Sequence, residues 1–242
     1  MKELHAVGLS GGKDSTAMAL RLRELNPAID YTYICTPTGD ELPPMFEHWK
    51  HCGVLLGKPI IPIMYRSGLN GLIREKNALP NFRQRWCTQI LKIQIFTTWL
   101  LQRLGEYDRV TTYVGIRADE DEREASDYQL PLLVNSTFPM REWGWCLPDV
   151  LGYLDSKGVS IPKRTDCARC FFQRIAEWHN LWREYPEIYA DAVRQEQELG
   201  HTFRTPGKDT WPTALNDLAK EFESGRALPK ERGLLHCRVC RM

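Results

Sequence analysis

Residues 4–20, LHAVGLSGGKDSTAMAL, decide the fold, because they predict a strand, a glycine turn and a helix in direct succession. Residues 4–9 are mainly apolar, as in a short buried strand, and residues 10–12 form the turn. Two adjacent glycines let successive backbone N–H groups point into one concavity, where the helix dipole and Lys13 add positive charge. This stretch therefore predicts an anion site suited to a chain of phosphates.

The spacing of the glycines separates this turn from a Walker A loop, which needs four residues between its first glycine and its Gly-Lys pair. No such glycine precedes Gly12. Residues 10–15, SGGKDS, instead resemble the loop of the ATP pyrophosphatase (PP-loop) superfamily, which grips the pyrophosphate of ATP and cuts between the α and β phosphates. The alternative is an ordinary strand–turn–helix connection with chance glycines. The resemblance implies bound ATP and transfer of AMP, with contacts from Ser10, Gly11, Gly12, Lys13, Asp14 and Ser15.

Composition limits the class of protein. A chain of 242 residues with 43% hydrophobic content fits one α/β domain plus an appendage. No apolar run approaches membrane length and the first residues lack a signal-peptide plan, so we expect a cytoplasmic protein without a membrane partner. Eight cysteines in such a chain favour thiol chemistry or metal ligation over disulfides. The net charge of +1 requires that any contact with nucleic acid come from a local patch.

Further strands alternate with helical segments along the chain. Strands are predicted over residues 30–36, 59–64 and 109–116. This alternation implies an α/β fold with a doubly wound, mostly parallel sheet and ligands at the carboxyl ends of the strands. We expect a nucleotide-binding α/β domain over residues 1–135 and a mainly helical, cysteine-containing region over residues 136–242.

Three later segments resemble the PAPS (phosphoadenylyl sulfate) reductase family of the same superfamily. Residues 38–43, TGDELP, match its TG-x-E-x-P element, although a plain surface turn is the alternative. Residues 83–92, RQRWCTQILK, match RRWCT-x-x-LK, and residues 115–123, GIRADEDER, match G-x-R-x-x-E-S-x-x-R with Asp121 where a serine is usual. The resemblance implies an adenine nucleotide alpha-hydrolase-like fold. It also implies nucleotide contacts from Thr38, Gly39, Asp40, Gly115 and Arg117.

The residue types in these segments suggest chemical roles. Lys13 and the glycine turn would hold pyrophosphate as the leaving group. Asp14 or Asp40 could hold Mg²⁺ on the phosphates, and Arg117 could neutralise developing charge. Two arginines at a helix N-terminus make an anion site that would lower the pKa of Cys87, although a lone cysteine there could equally be a buried apolar residue. The expected catalytic residues are Lys13, Asp14, Arg117 and Cys87.

Two CxxC pairs, Cys167 with Cys170 and Cys237 with Cys240, suit tetrahedral sulfur ligation, so a zinc site is one interpretation. An iron–sulfur cluster is the other, and thiolate softness does not separate them. In adenylyl sulfate reductases a Cys-Cys pair and a distant CxxC hold a [4Fe–4S] cluster, and Cys87 stands where that pair would be. The resemblance therefore favours a cluster held by Cys87, Cys167, Cys170 and one of the two C-terminal cysteines.

The C-terminal sequence bears on the activity. The reductases carry their nucleophile in an ECG-x-H signature, whereas residues 230–240 read KERGLLHCRVC, with arginine at the position of that cysteine. Other members of the superfamily adenylate an oxygen and exchange it for sulfur, as in tRNA thiolation and DNA phosphorothioation. We therefore predict an ATP pyrophosphatase acting in sulfur incorporation, with DNA phosphorothioation as the leading pathway. A phosphoadenylyl or adenylyl sulfate reductase and a non-catalytic nucleotide-binding module are the alternatives.

This function implies partners. A cysteine desulfurase would supply persulfide sulfur to a low-pKa cysteine such as Cys87 or Cys237, and DNA would be the acceptor. A homodimer is left open. Six arginines could guide the phosphate backbone, with ordinary surface solvation as the alternative. They are Arg83, Arg85, Arg164, Arg169, Arg232 and Arg238.

Overall fold

The structure is a computed structural model that describes residues 2–120, 134–207 and 209–230. Its sheet contains five parallel strands in the order β3-β2-β1-β4-β5. They are β1 (Glu3–Gly8), β2 (Tyr31–Cys35), β3 (Ile60–Pro62), β4 (Arg109–Tyr113) and β5 (Val134–Thr137). Since β2 and β3 lie on one side of β1 and β4 and β5 on the other, the sheet is doubly wound, as predicted. The direction of winding changes between β1 and β4, where such sheets bind ligands.

Ten α-helices and one π-helical segment, Gln89–Gln94 between α4 and α5, occur in the described ranges. The helices before β5 are α1 (Lys13–Leu25), α2 (Pro43–Leu56), α3 (Gly68–Lys76), α4 (Trp86–Thr88) and α5 (Ile95–Arg103). Those after it are α6 (Pro139–Glu142), α7 (Leu147–Ser156), α8 (Ile175–Glu184), α9 (Pro186–Leu199) and α10 (Leu215–Glu223). No helix among the described residues is both long and apolar enough to cross a membrane.

The central strand β1 is buried on both faces, because helices cover both sides of the sheet. On one face Val7 packs in a core with side chains of α1, α2 and α7, including Met18 and Val150. On the other face Leu4 and Ala6 pack with residues of β2, β4 and α5. Burial on both faces explains why the strand reads as an apolar run and not as a strict alternation.

The sheet continues beyond the division expected at residue 135, which falls inside β5. Helix α7 packs on α1, and Met140, Val150 and Leu154 join the core that contains Val7. The layer that carries the glycine turn therefore reaches at least Val159, which is buried in that core.

Helices α8, α9 and α10 form the predicted helical appendage around a separate core. Trp178 and Phe203 are fully buried at its centre. Leu72 of α3 and Leu91 of the π-helical segment belong to the same core, so the appendage is docked on the helices that follow β3.

Candidate active site

The glycine turn lies at the carboxyl end of β1, next to the point where the winding changes. Gly11 has φ of +86°, in the left-handed region that favours glycine. A Cβ atom on Gly11 would lie 2.7 Å from both Met45 Cε and Trp49 Nε1. Gly12 is the N-cap of α1 and makes no side-chain cap hydrogen bond, so no cap side chain covers the N–H groups of the first turn. The turn therefore has the form of an anion site at a helix N-terminus.

Hydrogen bonds fix the shape of this turn. Ser10 Oγ lies 2.9 Å from Ser15 Oγ and accepts the Gly12 N–H at 3.3 Å. Ser15 Oγ also donates to the Gly12 carbonyl at 3.1 Å, and Trp49 Nε1 donates to the Ser10 carbonyl at 3.2 Å. A site with such internal bonds needs little reorganisation when a ligand binds.

His48, which the sequence analysis did not single out, lies beneath the turn. The buried imidazole Nε2 is 3.5 Å from both Thr16 Oγ1 and Cys52 Sγ. Burial lowers the pKa of His48, and a hydrogen bond with the Gly11 main chain offsets this only in part. The ring is therefore neutral at pH 7 and supports the turn from behind.

Arg117 and Asp14 form a buried ion pair beside the turn. Arg117 Nη1 donates to Asp14 Oδ1 and Oδ2 at 3.0 and 3.1 Å, and Arg117 Nε donates to Asp119 at 2.8 Å. The backbone N–H of Arg117 donates to Glu120 at 3.2 Å, and Lys13 Nζ lies 3.3 Å from Asp14. Burial alone lowers the pKa of Arg117, but these carboxylates raise it overall.

Gly115 brings the segment after β4 against the start of α1. A Cβ atom there would lie 3.2 Å from Ser15 Cα and N, so only glycine permits this approach without a shift. The structure thus brings the loop residues, Gly115 and Arg117 together. Arg117, however, faces carboxylates of its own chain, so in this arrangement it positions Asp14 instead of presenting an unpaired charge.

Asp40 lies at a different location, between β2 and the helical appendage. Arg169 Nε donates to Asp40 Oδ1 at 2.8 Å, its backbone N–H donates to Oδ2 at 2.9 Å, and its Nη1 donates to Asp191 of α9 at 2.7 Å. Both partners of the Asp40–Arg169 pair are almost fully buried. The Asp40 oxygens therefore connect the sheet to the appendage, and the sequence offered no signal for this pairing across 129 residues.

Glu41 occupies the turn that follows β2. Its carboxylate accepts the Thr38 N–H and hydroxyl, both at 2.7 Å, and the Gly39 N–H at 3.0 Å. Gly39 has φ of +77°, which aims successive N–H groups at one point. Thr38 and Gly39 thus form an anion-binding turn that already holds a carboxylate of this chain.

Lys92 interacts electrostatically with three of the candidate cysteines and with Glu41 in the turn after β2. Burial alone lowers the pKa of Lys92, but four surrounding groups raise it above the usual lysine range. These groups are Cys167, Asp166, Cys170 and Glu41. The charge of Lys92 also acts on Cys87, five residues earlier. The helical turns between Cys87 and Lys92 are partly π-helical, with i→i+5 hydrogen bonds. Residues five positions apart therefore lie near the same face of the helix.

The expectation of a lowered pKa for Cys87 is wrong. The thiol is half-buried, and burial raises its pKa more than Thr88, Lys92 and Arg85 lower it. Burial also raises the pKa of Cys167 to about 11 and raises that of Cys170. The predicted persulfide carrier Cys237 lies outside the described residues. Thiols in this region are therefore protonated at neutral pH.

The described residues contain only three of the thiols predicted to bind a metal, Cys87, Cys167 and Cys170, so the cluster and the zinc site stay predictions. In the described ranges, no group of three His, Cys, Asp or Glu side chains is arranged to hold an ion. Cys167 and Cys170 are adjacent, with the Cys170 N–H donating to the Cys167 carbonyl at 3.2 Å, but Lys92 faces them. Cys237 and Cys240 lie outside the described part. The two candidate Mg²⁺ ligands are each bound by an arginine, so we derive no step through a metal.

The arginines that were predicted to guide a phosphate backbone differ in exposure and in their hydrogen-bond partners. Arg169 is buried against carboxylates, so the expectation is wrong for that residue. Arg164 donates to the Cys167 carbonyl at 2.6 Å. Arg83 is exposed and Arg85 half-buried, while Arg232 and Arg238 lie outside the described residues.

A polar pocket of about 330 Å³ opens between the turn after β2 and α9. Its charged lining includes Asp40, Glu41, Arg169, Glu187, Asp191 and Arg194. Carboxylates outnumber guanidinium groups there, which disfavours a polyphosphate. The glycine turn does not line this pocket. The phosphate site at the turn stays a prediction.

Comparisons with known proteins add the following findings. No family model matches the chain, and no curated protein matches it. Among solved structures, the fold is similar to the crystal structure of phosphoadenylyl-sulfate (PAPS) reductase from Candida auris in its phosphate complex. The two are 11% identical over 66% of this chain and 75% of that chain, with a TM-score of 0.47. A likeness of this extent says nothing about activity.

Proposed function

We propose that this chain is an ATP pyrophosphatase that converts ATP to AMP and pyrophosphate and thereby activates an acceptor for sulfur incorporation. The observation that supports it best is the glycine turn, with left-handed Gly11, a helix N-terminus without a side-chain cap, and Lys13 beside it. The leading pathway is DNA phosphorothioation, with a cysteine desulfurase as the sulfur donor. This part of the proposal rests on the sequence resemblance.

The proposed reaction separates into two steps. An oxygen of the acceptor attacks the α-phosphorus of ATP, the bond from this phosphorus to the bridging oxygen breaks, and pyrophosphate leaves with the electron pair. The N–H groups of the turn and Lys13 would stabilise the charge that develops on pyrophosphate, which is an electrostatic task. A persulfide then displaces AMP, and a second thiol cleaves the sulfur–sulfur bond, leaving sulfur on the acceptor and forming a disulfide.

The protonated state of Cys87 limits how it can serve in the second step. A thiolate is the attacking species, so a thiol with a raised pKa needs a base or a cation nearby. Lys92 lies close enough for its charge to favour the thiolate of Cys87. Lys92 is therefore a positioning and charge-balancing residue in this proposal.

Two parallel assays test the proposal against a reductase. One contains ATP, a cysteine desulfurase, cysteine and DNA, and the other contains phosphoadenylyl sulfate and thioredoxin. We expect AMP, pyrophosphate and DNA-bound sulfur in the first and no sulfite in the second. Release of sulfite in the second assay, with no consumption of ATP in the first, would establish the reductase in place of the proposed function.

A further inference from the structure

A cluster of cationic and aromatic side chains surrounds the turn before α4. We call it the aromatic–basic strip, which consists of Lys76, Phe82, Arg83, Arg85, Trp86 and Phe172. Three cation–ring contacts connect its members. Lys76 Nζ lies 5.8 Å from the centre of the Trp86 ring, Arg83 lies 5.3 Å from that of Phe82, and Arg85 lies 5.4 Å from that of Phe172. The strip therefore joins α3, the turn before α4 and the segment after the CxxC pair.

The turn that presents the strip has a fixed shape. The Asn81 side-chain oxygen accepts the N–H groups of Arg83 and Gln84, each at 2.9 Å, and the Asn81 N–H donates to the Gln84 carbonyl at 3.4 Å. The backbone that carries Phe82 and Arg83 is thus held in one turn conformation. Phe82 is 42% exposed, which is a large exposed fraction for a phenylalanine in a fixed turn.

The strip is strongly basic in a nearly neutral protein. Residues 74–86 contain four basic side chains and one acidic side chain, so this short segment carries a net charge of +3 while the whole chain carries +1. The acidic member, Glu75, accepts hydrogen bonds from Ser67 and Tyr65 at 2.8 and 3.1 Å. Positive charge therefore dominates this surface locally.

Aromatic rings next to arginine and lysine are the groups that bind single-stranded nucleic acid, and of the three rings in the strip Phe82 is exposed while Trp86 and Phe172 are half-buried. Bases stack on aromatic rings and guanidinium planes, while the cations neutralise phosphates. In duplex DNA the bases are stacked on one another, so a duplex would use the charges but not Phe82. An acidic protein surface would likewise depend on charge alone.

The strip is continuous with the thiol region, which consists of Cys87, Cys167 and Cys170. Trp86 immediately precedes Cys87, and Phe172 follows Cys170 by two residues, a distance of about 7 Å at most along the chain. A strand lying on the rings would therefore pass beside the cysteines that face Lys92.

From these features we infer that the aromatic–basic strip binds a single-stranded segment of nucleic acid and leads it past the thiol region. The inference deepens the proposed function and rests on it, because it makes this strand the sulfur acceptor. The nucleotide that accepts sulfur would then not be base-paired.

The test uses the full chain and a fluorescein-labelled single-stranded DNA of 15 mixed nucleotides, with the same strand in a duplex for comparison. Anisotropy titrations at several salt concentrations compare the wild type with Phe82→Leu and with Lys76→Ala combined with Arg83→Ala. Arg103→Ala is the matched control, because Arg103 also lies over a ring, that of Trp99 at 4.7 Å. Arg103 is the last residue of α5, about 25 Å from Trp86 along the consecutive helical segments from α4 to α5.

We expect Phe82→Leu to weaken single-strand binding at least about fivefold without changing its salt dependence. The double variant should weaken binding further and reduce the slope of log affinity against log salt by about 1.4. Arg103→Ala should bind within about twofold of the wild type, and all variants should unfold at similar temperatures. Equal binding by wild type and Phe82→Leu, or preference for the duplex, would overturn the inference.

A second readout separates this inference from the proposed function. AMP formation from ATP is measured for the same proteins with a cysteine desulfurase, cysteine and single-stranded DNA at a concentration that saturates each variant. Loss of DNA binding in the strip variants alongside unchanged AMP formation supports both. If no protein forms AMP while the strip variants still lose binding, the surface stands and the pyrophosphatase proposal fails.

Discussion

The glycine turn and the junction between the sheet and the helical appendage are built in opposite ways. Ser10 and Ser15 shape the turn through bonds among neighbouring residues, so six consecutive letters of sequence specify most of it. The junction depends on Asp40 and Arg169, 129 residues apart. A local motif therefore reveals its geometry in the sequence, whereas the role of a single charged residue depends on a distant partner. Four substitutions test this contrast.

The largest effect should come from the junction. Arg169→Ala leaves the buried carboxylate of Asp40 without its partner, and breaking such a pair costs about 3–5 kcal/mol of unfolding free energy. Urea denaturation measures the loss, and Arg183→Ala, at an exposed arginine of α8, is the control. A loss below about 1 kcal/mol for Arg169→Ala would mean that Asp40 is available for another role, such as the metal ligand predicted from sequence.

Lys13→Ala tests the proposed role of the glycine turn in AMP formation, and it should affect activity and not stability. We expect AMP formation to fall at least about 100-fold, because a charge aimed at the leaving group is lost, with little change in unfolding temperature. Lys50→Ala is the control, since Lys50 is exposed on α2 and is paired with Glu47 of the same helix. Full activity of Lys13→Ala would place the phosphate chain elsewhere.

The appendage should respond to pH through Glu196. Its buried carboxylate accepts N–H groups of Phe203 and Leu215 at 2.8 and 2.7 Å, and burial raises the pKa of Glu196 from 4.5 to about 7. The unfolded chain loses this proton first as pH rises, so stability falls between about pH 4.5 and 7, by about 3 kcal/mol in total.

Glu196→Gln should remove that part of the pH dependence, as measured by urea denaturation at a series of pH values. Glu198→Gln, at an exposed position of the same helix, should leave it unchanged. Identical pH profiles for the wild type and Glu196→Gln would show that this carboxylate titrates normally.

The smallest effect is expected from the support beneath the turn. His48→Ala removes the buried imidazole that contacts Thr16 of α1 beneath the turn and should raise KM for ATP about tenfold, about 1.4 kcal/mol, with a smaller change in kcat. His48→Gln, which keeps a donor, should recover part of this loss, and exposed His51→Ala should behave as wild type. Equal KM values for His48→Ala and the wild type would contradict a supporting role.

Much of the fold could be predicted from the sequence, because β1, β2 and β4 are apolar or β-branched runs bounded by turns. β5 and α3 are among the elements that were not predicted. β5 has only four residues, VNST, with little apolar content, and α3 begins at Gly68 and contains Gly71, which weaken a helix signal. Both are stabilised by tertiary contacts: β5 by pairing with β4, and α3 by packing of Leu72 in the appendage core.

In the candidate site, too, the features that depend on neighbouring residues could be predicted from the sequence, and those that depend on distant contacts could not. The sequence located the turn and the segment with Gly115, because glycine spacing encodes backbone shape. It could not foresee that Arg169 is buried, since an arginine two residues after Cys167 has no local cue for Asp40. It also misjudged Cys87, because nearby positive charge is visible in sequence while burial, which raises the thiol pKa, is not. Lys92 could have been noticed from its spacing of five residues after Cys87.

The proposed function requires that the glycine turn direct cleavage between the α and β phosphates of ATP. The most direct measurement follows ATP labelled at the α phosphate and, separately, at the γ phosphate, with the wild type and Lys13→Ala and with acceptor and sulfur donor present. We predict labelled AMP from the first substrate, labelled pyrophosphate from the second, and neither with Lys13→Ala. Labelled ADP and inorganic phosphate as the main products would contradict the account.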